Sequence, residues 1–292
     1  MDLGLSEQQK VLSRTAREFL EAECPMSLVR ELGDSEEGYS PSLWKKMADL
    51  GWLGLALPVQ YGGAGGNLLD QVVLFEEIGR ALVPGPLLPS CVLAVQTLLH
   101  AGAEDRKADL LPSMTRGDAI VTTALGGPGI GLGDGGLGLR AVVDGGGYVI
   151  DGALLFVPYA HTADYILCMA GIYGRGGDSP QAAVAGQDAA LFLVEAHSPG
   201  VTAVLMESVA GYKQHEVLFQ GVGVPEEAVL GEAGRAWGYP AEAEEWATVV
   251  QSAEIVGRSQ KVLEMVVEYS KNRVQFGRPI GSFQAVQHRC AD

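Results

Sequence analysis

The sequence predicts an α+β multidomain fold with three zones. An N-terminal α-helical domain covers residues 1–118. A middle antiparallel β domain, built as a sandwich or barrel, covers 119–235. A C-terminal α-helical domain starts at 236 and is incomplete at 292. Three observations carry this reading. Apolar residues recur at helical spacing through the first zone. Short extended runs bounded by glycine then follow one another with no helix-length pattern between them, which favours an antiparallel over a parallel sheet. Helical periodicity returns near residue 240 and lasts almost to the end.

The elements follow in order. Ser6 with Gln9 forms a capping-box start. Leu12, Ala16, Phe19 and Leu20 then share one helix face. In "PSLWKKMADLGWLGL", Leu43, Met47 and Leu50 repeat the pattern. "LPVQYGGAGG" (57–66) is a loop by its Pro and Gly content. "LLDQVVLFEEIGRAL" (68–82) is an amphipathic helix, which Pro84 and Pro86 cannot continue. "CVLAVQTLLHAG" and "DRKADLLPSMTRG" resume short helices.

In the β zone "RAVVDGGGYVIDGALLFVP" reads as two strands around a Gly-rich turn. "DYILCMAG", "AALFLVEAH", "GVTAVLM" and "HEVLFQGVGVP" read as further strands. A long helix then spans "EAEEWATVVQSAEIVGRSQKVLEMVVEYSKNR". Val249, Ala253, Val256, Gln260, Leu263, Val267 and Ser270 wind along one side of it. Ser282 is placed to cap a last helix.

The totals bound the function. Of 292 residues, 47% are apolar and 19% charged, which suits a packed core. Net charge is −16, from 20 basic and 36 acidic residues. That disfavours a nucleic-acid or anionic membrane surface but leaves room for a local anion site. Cys24, Cys91, Cys168 and Cys290 form no C-x-x-C pair, so a reducing compartment is the expectation. The polar N-terminus and the lack of a long apolar run predict a cytoplasmic protein without a membrane span.

Several motifs tempt. "GLGDGG" (131–136) and "GDGGLG" (133–138) both match G-x-G-x-x-G, but a strand follows instead of the helix a dinucleotide site needs. The five histidines lie at no metal-ligand spacing. No G-x-S-x-G elbow is present. The pair Glu76-Glu77 offers carboxylates for catalysis, but a solvated helix face is the favoured reading.

The stretch "RVQFGRPIGSFQ" (273–284) sets Arg273, an aromatic and a glutamine at a helix break. Two readings stay open on physics. Arg273 can meet free carbonyls at a helix end. Alternatively its guanidinium fork meets a phosphate, with Phe276 as a flat surface, Gly277 permitting close approach and Gln284 adding an amide.

Extended to "RVQFGRPIGSFQAVQHRCAD", this stretch resembles the signature of the acyl-CoA dehydrogenase family, R-x-x-F-G-x-x-I-x-x-F-Q followed by a helix ending in A-D. "LSEQQKVLSRTAREFLEAE", "GWLGLALPVQYGGAGG", "EEIGRAL" and "EVLFQGVGVPEEAVLG" resemble other family segments in the family's order. The resemblance implies FAD as cofactor, acyl-CoA thioesters as substrates and a role in fatty acid or lipid metabolism. It also implies a dimer or tetramer of like or unlike subunits. In such enzymes the R-x-x-F-G segment touches the FAD of a neighbouring subunit. Arg273 would then meet the pyrophosphate, and Phe276, Ile280, Phe283 and Gln284 would line the same cofactor.

Two departures stand out. The family's T-E-P-x-x-G-S-D flavin loop reads "GGPGIGLG" (126–133), which keeps Pro128, Gly129 and Gly131 but replaces the Thr, Glu, Ser and Asp. The flavin-sheltering W-x-T-N-G reads "FVPYA" (156–160), which keeps an aromatic at Phe156 and loses a hydroxyl and an N–H at Pro158. The family's catalytic carboxylate lies beyond residue 292 in most members and aligns with Ala247 in a minority. Glu244, one turn earlier on roughly the same face, is a substitute candidate, and Glu245 points further away. A non-catalytic subunit that completes a neighbour's FAD site is the alternative expectation.

Overall fold

The computed structural model describes residues 4–125, 138–174, 189–209, 211–232, 236 and 238–292. Helix α1 (Glu7–Glu23) opens on the predicted capping box. Ser6 Oγ accepts from the Gln9 N–H at 3.2 Å, and Gln9 Oε1 accepts from the Ser6 N–H at 3.1 Å. Helices α2 (Met26–Asp34), α3 (Pro41–Asp49) and α4 (Leu68–Ala81) follow, with a loop and one 3₁₀ turn over 57–66. Leu43 and Met47 are buried, but Leu50 caps α3 from an exposed position.

Helix α4 stops at Ala81, before the prolines, with Leu82 in the left-handed region. The run predicted as one helix from Cys91 divides in two. Leu87–Ala94 winds as a π-helix, and α5 (Val95–Ala101) continues it. Helix α6 spans Glu104–Thr115.

The Glu76-Glu77 pair needs a correction. Glu76 is exposed, but Glu77 is only 3% exposed and faces α1. It accepts from Arg17 Nε at 2.9 Å, Arg17 Nη2 at 2.7 Å and Ser13 Oγ at 2.7 Å. A carboxylate so bonded can be buried at tolerable cost. The bidentate pair raises the pKa of Arg17.

Among the described residues, the β zone forms one eight-stranded sheet. Its strands are β1 (Val121–Ala124), β2 (Leu139–Asp144), β3 (Gly147–Pro158), β4 (Tyr165–Tyr173), β5 (Ala189–Glu195), β6 (Val201–Met206), β7 (Gln214–Pro225) and β8 (Val229–Leu230). The order is β6-β7-β3-β2-β4-β5-β8, with β1 also on β4. Most pairs are antiparallel, as expected. The exceptions are β1 and β2, which run parallel to β4 in succession along one of its edges. Strands β1, β4 and β5 are buried almost throughout, so they read as apolar runs. The first half of β7 alternates between buried and half-buried residues.

On β7, His215 stacks on His161 at 4.4 Å between ring centroids and is buried. Burial first, then the neighbouring imidazole, pushes the pKa of His215 down to about 4. The neutral ring is therefore the folded form, and its stabilising effect is complete above pH ~6.5. As pH falls from there through about 4, roughly 2–3 kcal/mol of stability should be lost at this site. Urea unfolding of wild type and His215→Leu from pH 7.5 to 4.5 checks this. The gap between them should shift in favour of the variant as pH falls.

The long helix is α7 (Gly238–Asn272). Its buried stripe is Ala243, Ala247, Val250, Ala253, Glu254 and Gly257. The face named from the sequence is largely the other one, since Val249, Val256 and Leu263 are exposed. The reason is a close crossing with α4. A Cβ on Gly257 would lie 1.8 Å from the Glu76 carbonyl oxygen, and one on Gly79 would lie 2.0 Å from the Glu254 carbonyl oxygen. Small residues set the contact face here. Beyond the crossing, α7 presents Val262, Met265, Val266 and Tyr269 at the surface. No helix among the described residues is long and apolar enough to cross a membrane.

A two-stranded hairpin follows, β9 (Val274–Gln275) and β10 (Arg278–Pro279). A 3₁₀ turn (Ile280–Ser282) leads to α8 (Gln284–Ala291). Phe283, not Ser282, is the N-cap of α8. The Ser282 hydroxyl instead donates to the Pro279 carbonyl at 2.7 Å, because the 3₁₀ turn brings that acceptor into reach first.

Candidate functional site

The hairpin after α7 gathers five of the residues picked from the sequence. Its two-residue turn is Phe276–Gly277, with φ of 52° and 75°. Both values are left-handed, the pattern of a type I′ hairpin. A Cβ on Gly277 would meet nothing within 4 Å, so this glycine supplies the turn and not a close approach.

Phe276 is the unusual choice. Asn, Asp or Gly suits that turn position, and a bulky residue there costs about 1–2 kcal/mol. The cost places its ring outward, 92% exposed. Backbone strain kept at a surface aromatic points to a binding role. Phe283 meets Phe276 edge-on at 6.1 Å, and the Arg278 guanidinium lies 4.1 Å from the centroid of Phe283.

Arg273 joins the hairpin to α7 through its backbone. Its N–H donates to the Tyr269 carbonyl at 2.8 Å, and its own carbonyl accepts from the Ile280 N–H at 2.8 Å. The side chain is exposed, and its guanidinium has no protein partner among the described residues. The helix-end reading, in which the guanidinium bonds free carbonyls, is therefore not what the structure builds. Gln284 is exposed at the first position of α8, and Ile280 is half-buried at the start of the 3₁₀ turn. Two guanidinium groups, two rings and an amide within residues 273–284 are of the types that suit a planar anionic group.

Phe156 lies on β3, apart in sequence from this cluster. The β3–β7 register slips between Leu154 and Val157, and Phe156 there has φ of 60° with a ring 52% exposed. Pro158 ends the strand, and its carbonyl accepts from the Thr122 hydroxyl. Pro128, Gly129 and Gly131 lie outside the described residues, as does the rest of the "GGPGIGLG" segment.

On α7, Ala247 is buried, while Glu244 and Glu245 stand exposed. Partial burial still raises the pKa of Glu244. The sequence reading missed Glu254. It lies seven residues beyond Ala247, about 10 Å along the helix and within ~20° of the same face. It is buried, burial pushes its pKa up to about 7, and the Arg258 guanidinium pairs with it. The signal was available, since Ala243, Ala247, Val250, Glu254 and Gly257 recur at three- and four-residue spacing. Among the described residues, no group of three or more His, Cys, Asp or Glu is arranged to hold a metal.

Comparison with known proteins fits these features. The family model "Acyl-CoA dehydrogenase, N-terminal domain" matches residues 6–118. The model "Acyl-CoA dehydrogenase, C-terminal domain" matches residues 236–292. Acyl-CoA dehydrogenase FadE27 of Mycobacterium tuberculosis is 31% identical over all of this chain and 72% of its own. The chain belongs to the acyl-CoA dehydrogenase family.

Members of this family are flavoprotein oxidoreductases. Another relative, the NADH-linked acryloyl-CoA reductase of Anaerotignum propionicum, is 29% identical over all of this chain and 73% of its own. Among solved structures, the ChsE4–ChsE5 complex of Mycobacterium tuberculosis superimposes with a TM-score of 0.85 at 31% identity. That match covers all of this chain and 74% of the other. Solved structures of this fold thus include a complex of two named components.

Proposed function

We propose that the protein carries out FAD-dependent α,β-dehydrogenation of an acyl-CoA thioester to an enoyl-CoA, within a dimer or tetramer in the cytoplasm. The domain division at 118/119 and 235/236 belongs to the same reading. The observation that carries it is the segment after α7, where Arg273, Phe276 and Gln284 are exposed and Phe283 meets Phe276 edge-on. Bound FAD would supply the hydride acceptor.

The chain's own residues bind and orient. Arg273 offers charge-assisted hydrogen bonds to the pyrophosphate. Phe276 and Phe283 would cover a planar face and exclude water, and half-buried Ile280 would line the same cofactor. Gln284 donates its amide. Phe156 and the backbone of Pro128, Gly129 and Gly131 would shelter the ring system of the subunit's own cofactor. Three buried free thiols, Cys24, Cys91 and Cys168, suit a reducing compartment.

A second reading has specific support: a non-catalytic subunit that completes a neighbour's FAD site. Ala247 cannot take a proton, Pro158 lacks an N–H and Glu244 is exposed. One comparison separates the two. The chain is purified alone and together with a second acyl-CoA dehydrogenase subunit, and its flavin absorption is recorded. Yellow protein from the chain alone supports the first reading. In that case Glu244→Gln should slow flavin reduction by about 100-fold or more. Protein that turns yellow only in the complex, with Glu244→Gln inert, supports the second. Protein that carries no flavin in either form contradicts both.

A further inference from the structure

A cavity of about 200 Å3 lies where α4, the π-helix, β3 and α7 meet. Most of its wall is apolar, formed by Phe75, Ile78, Leu87, Leu88 and Leu93. Glu254 also lines it and is only 7% exposed. The Tyr212 hydroxyl donates to Glu254 Oε1 at 3.0 Å, and Arg258 Nη2 pairs with the same oxygen. The Arg258 guanidinium in turn lies 5.2 Å from the centroid of the Tyr212 ring. The carboxylate is thus held by one oxygen, and Oε2 has no protein partner among the described residues.

Taking the acyl-CoA reading above as given, we propose that this cavity receives part of the acyl group. Glu254 is then a specificity-determining residue that selects acyl groups carrying a hydrogen-bond donor, a hydroxyl or an amine. A wholly apolar pocket discriminates weakly against an added hydroxyl. A pocket that adds a fixed acceptor on one wall, as Glu254 does here, discriminates further in favour of a ligand that carries the donor. Glu254 stands about 10 Å along α7 from Ala247, so it addresses a remote part of the acyl group. Gln251, one turn before it, lines the same cavity.

The test uses flavin-loaded protein, with its partner subunit if one is required. The probes are an ω-hydroxyacyl-CoA and the unsubstituted acyl-CoA of the same length. Affinity is read by calorimetry, and kcat and KM by flavin reduction. Wild type should bind the hydroxylated probe at least about 10-fold tighter. Glu254→Leu should bring that ratio close to one through KM, and the near-isosteric Glu254→Gln should keep part of it. Equal affinity in wild type, or a preference for the unsubstituted probe, overturns the proposal. So does a variant that weakens both probes alike, or one that abolishes kcat for both while binding persists. If both probes bind but neither reduces the flavin, the dehydrogenation reading fails on its own. The binding ratio then still decides the role of Glu254.

Discussion

Arg273→Ala should weaken flavin binding in the assembled protein by about 10- to 150-fold, the loss of one charge-assisted contact worth roughly 1.5–3 kcal/mol. The chain's own stability should change by less than about 0.5 kcal/mol, because the exposed guanidinium has no protein partner among the described residues. Arg273→Lys should recover only part of the affinity, since an ammonium cannot match a pyrophosphate with a planar fork. Phe276→Asn should dissociate two effects. Asn suits the left-handed turn position, so the hairpin should gain stability while flavin is held less tightly. Flavin titration followed by fluorescence quenching, paired with urea unfolding of each variant, checks these results. An unchanged flavin affinity in Arg273→Ala would remove the hairpin from the site.

Gly257→Val should destabilise the fold by about 3 kcal/mol or more. The added Cβ would stand 1.8 Å from the Glu76 carbonyl oxygen and 2.9 Å from the Arg80 nitrogen, both backbone atoms that cannot step aside alone. Helices α4 and α7 would have to separate, and the cavity beside Glu254 would change shape with them. Gly33→Ala is the matched control. Gly33 lies inside α2 with nothing within 4 Å of its added Cβ, so alanine should stabilise by roughly 0.5–1 kcal/mol. Urea midpoints for both variants decide the matter.

The helices and most strands were legible because their signals are local. The capping box at Ser6, the prolines after Leu82 and the Gly-bounded strand runs each act within a few residues. The hairpin site was legible for the same reason, because Arg273 to Gln284 are close in sequence. What stayed hidden depends on partners far along the chain. Glu77 reads as a surface acid until Arg17 and Ser13 of α1 are placed against it. The buried face of α7 is set by two glycines that let α4 touch it, so its periodic signal runs through small residues and an acid and is outweighed by the larger apolar residues on the exposed side. Glu254 was missed with that face. Strand β1 has only four residues and pairs with β4 more than forty residues later, so no local alternation announced it.

The central claim is that this protein, alone or with a second subunit, holds flavin and removes hydrogen from an acyl-CoA. Its most direct test is an anaerobic titration of the purified yellow protein with acyl-CoA, with the flavin absorption band followed and the CoA product weighed by mass spectrometry. Bleaching of the band in step with a product two hydrogens lighter is the predicted result. A flavin band that stays unbleached by plain and hydroxylated acyl-CoA alike, with the substrate recovered intact, would contradict it.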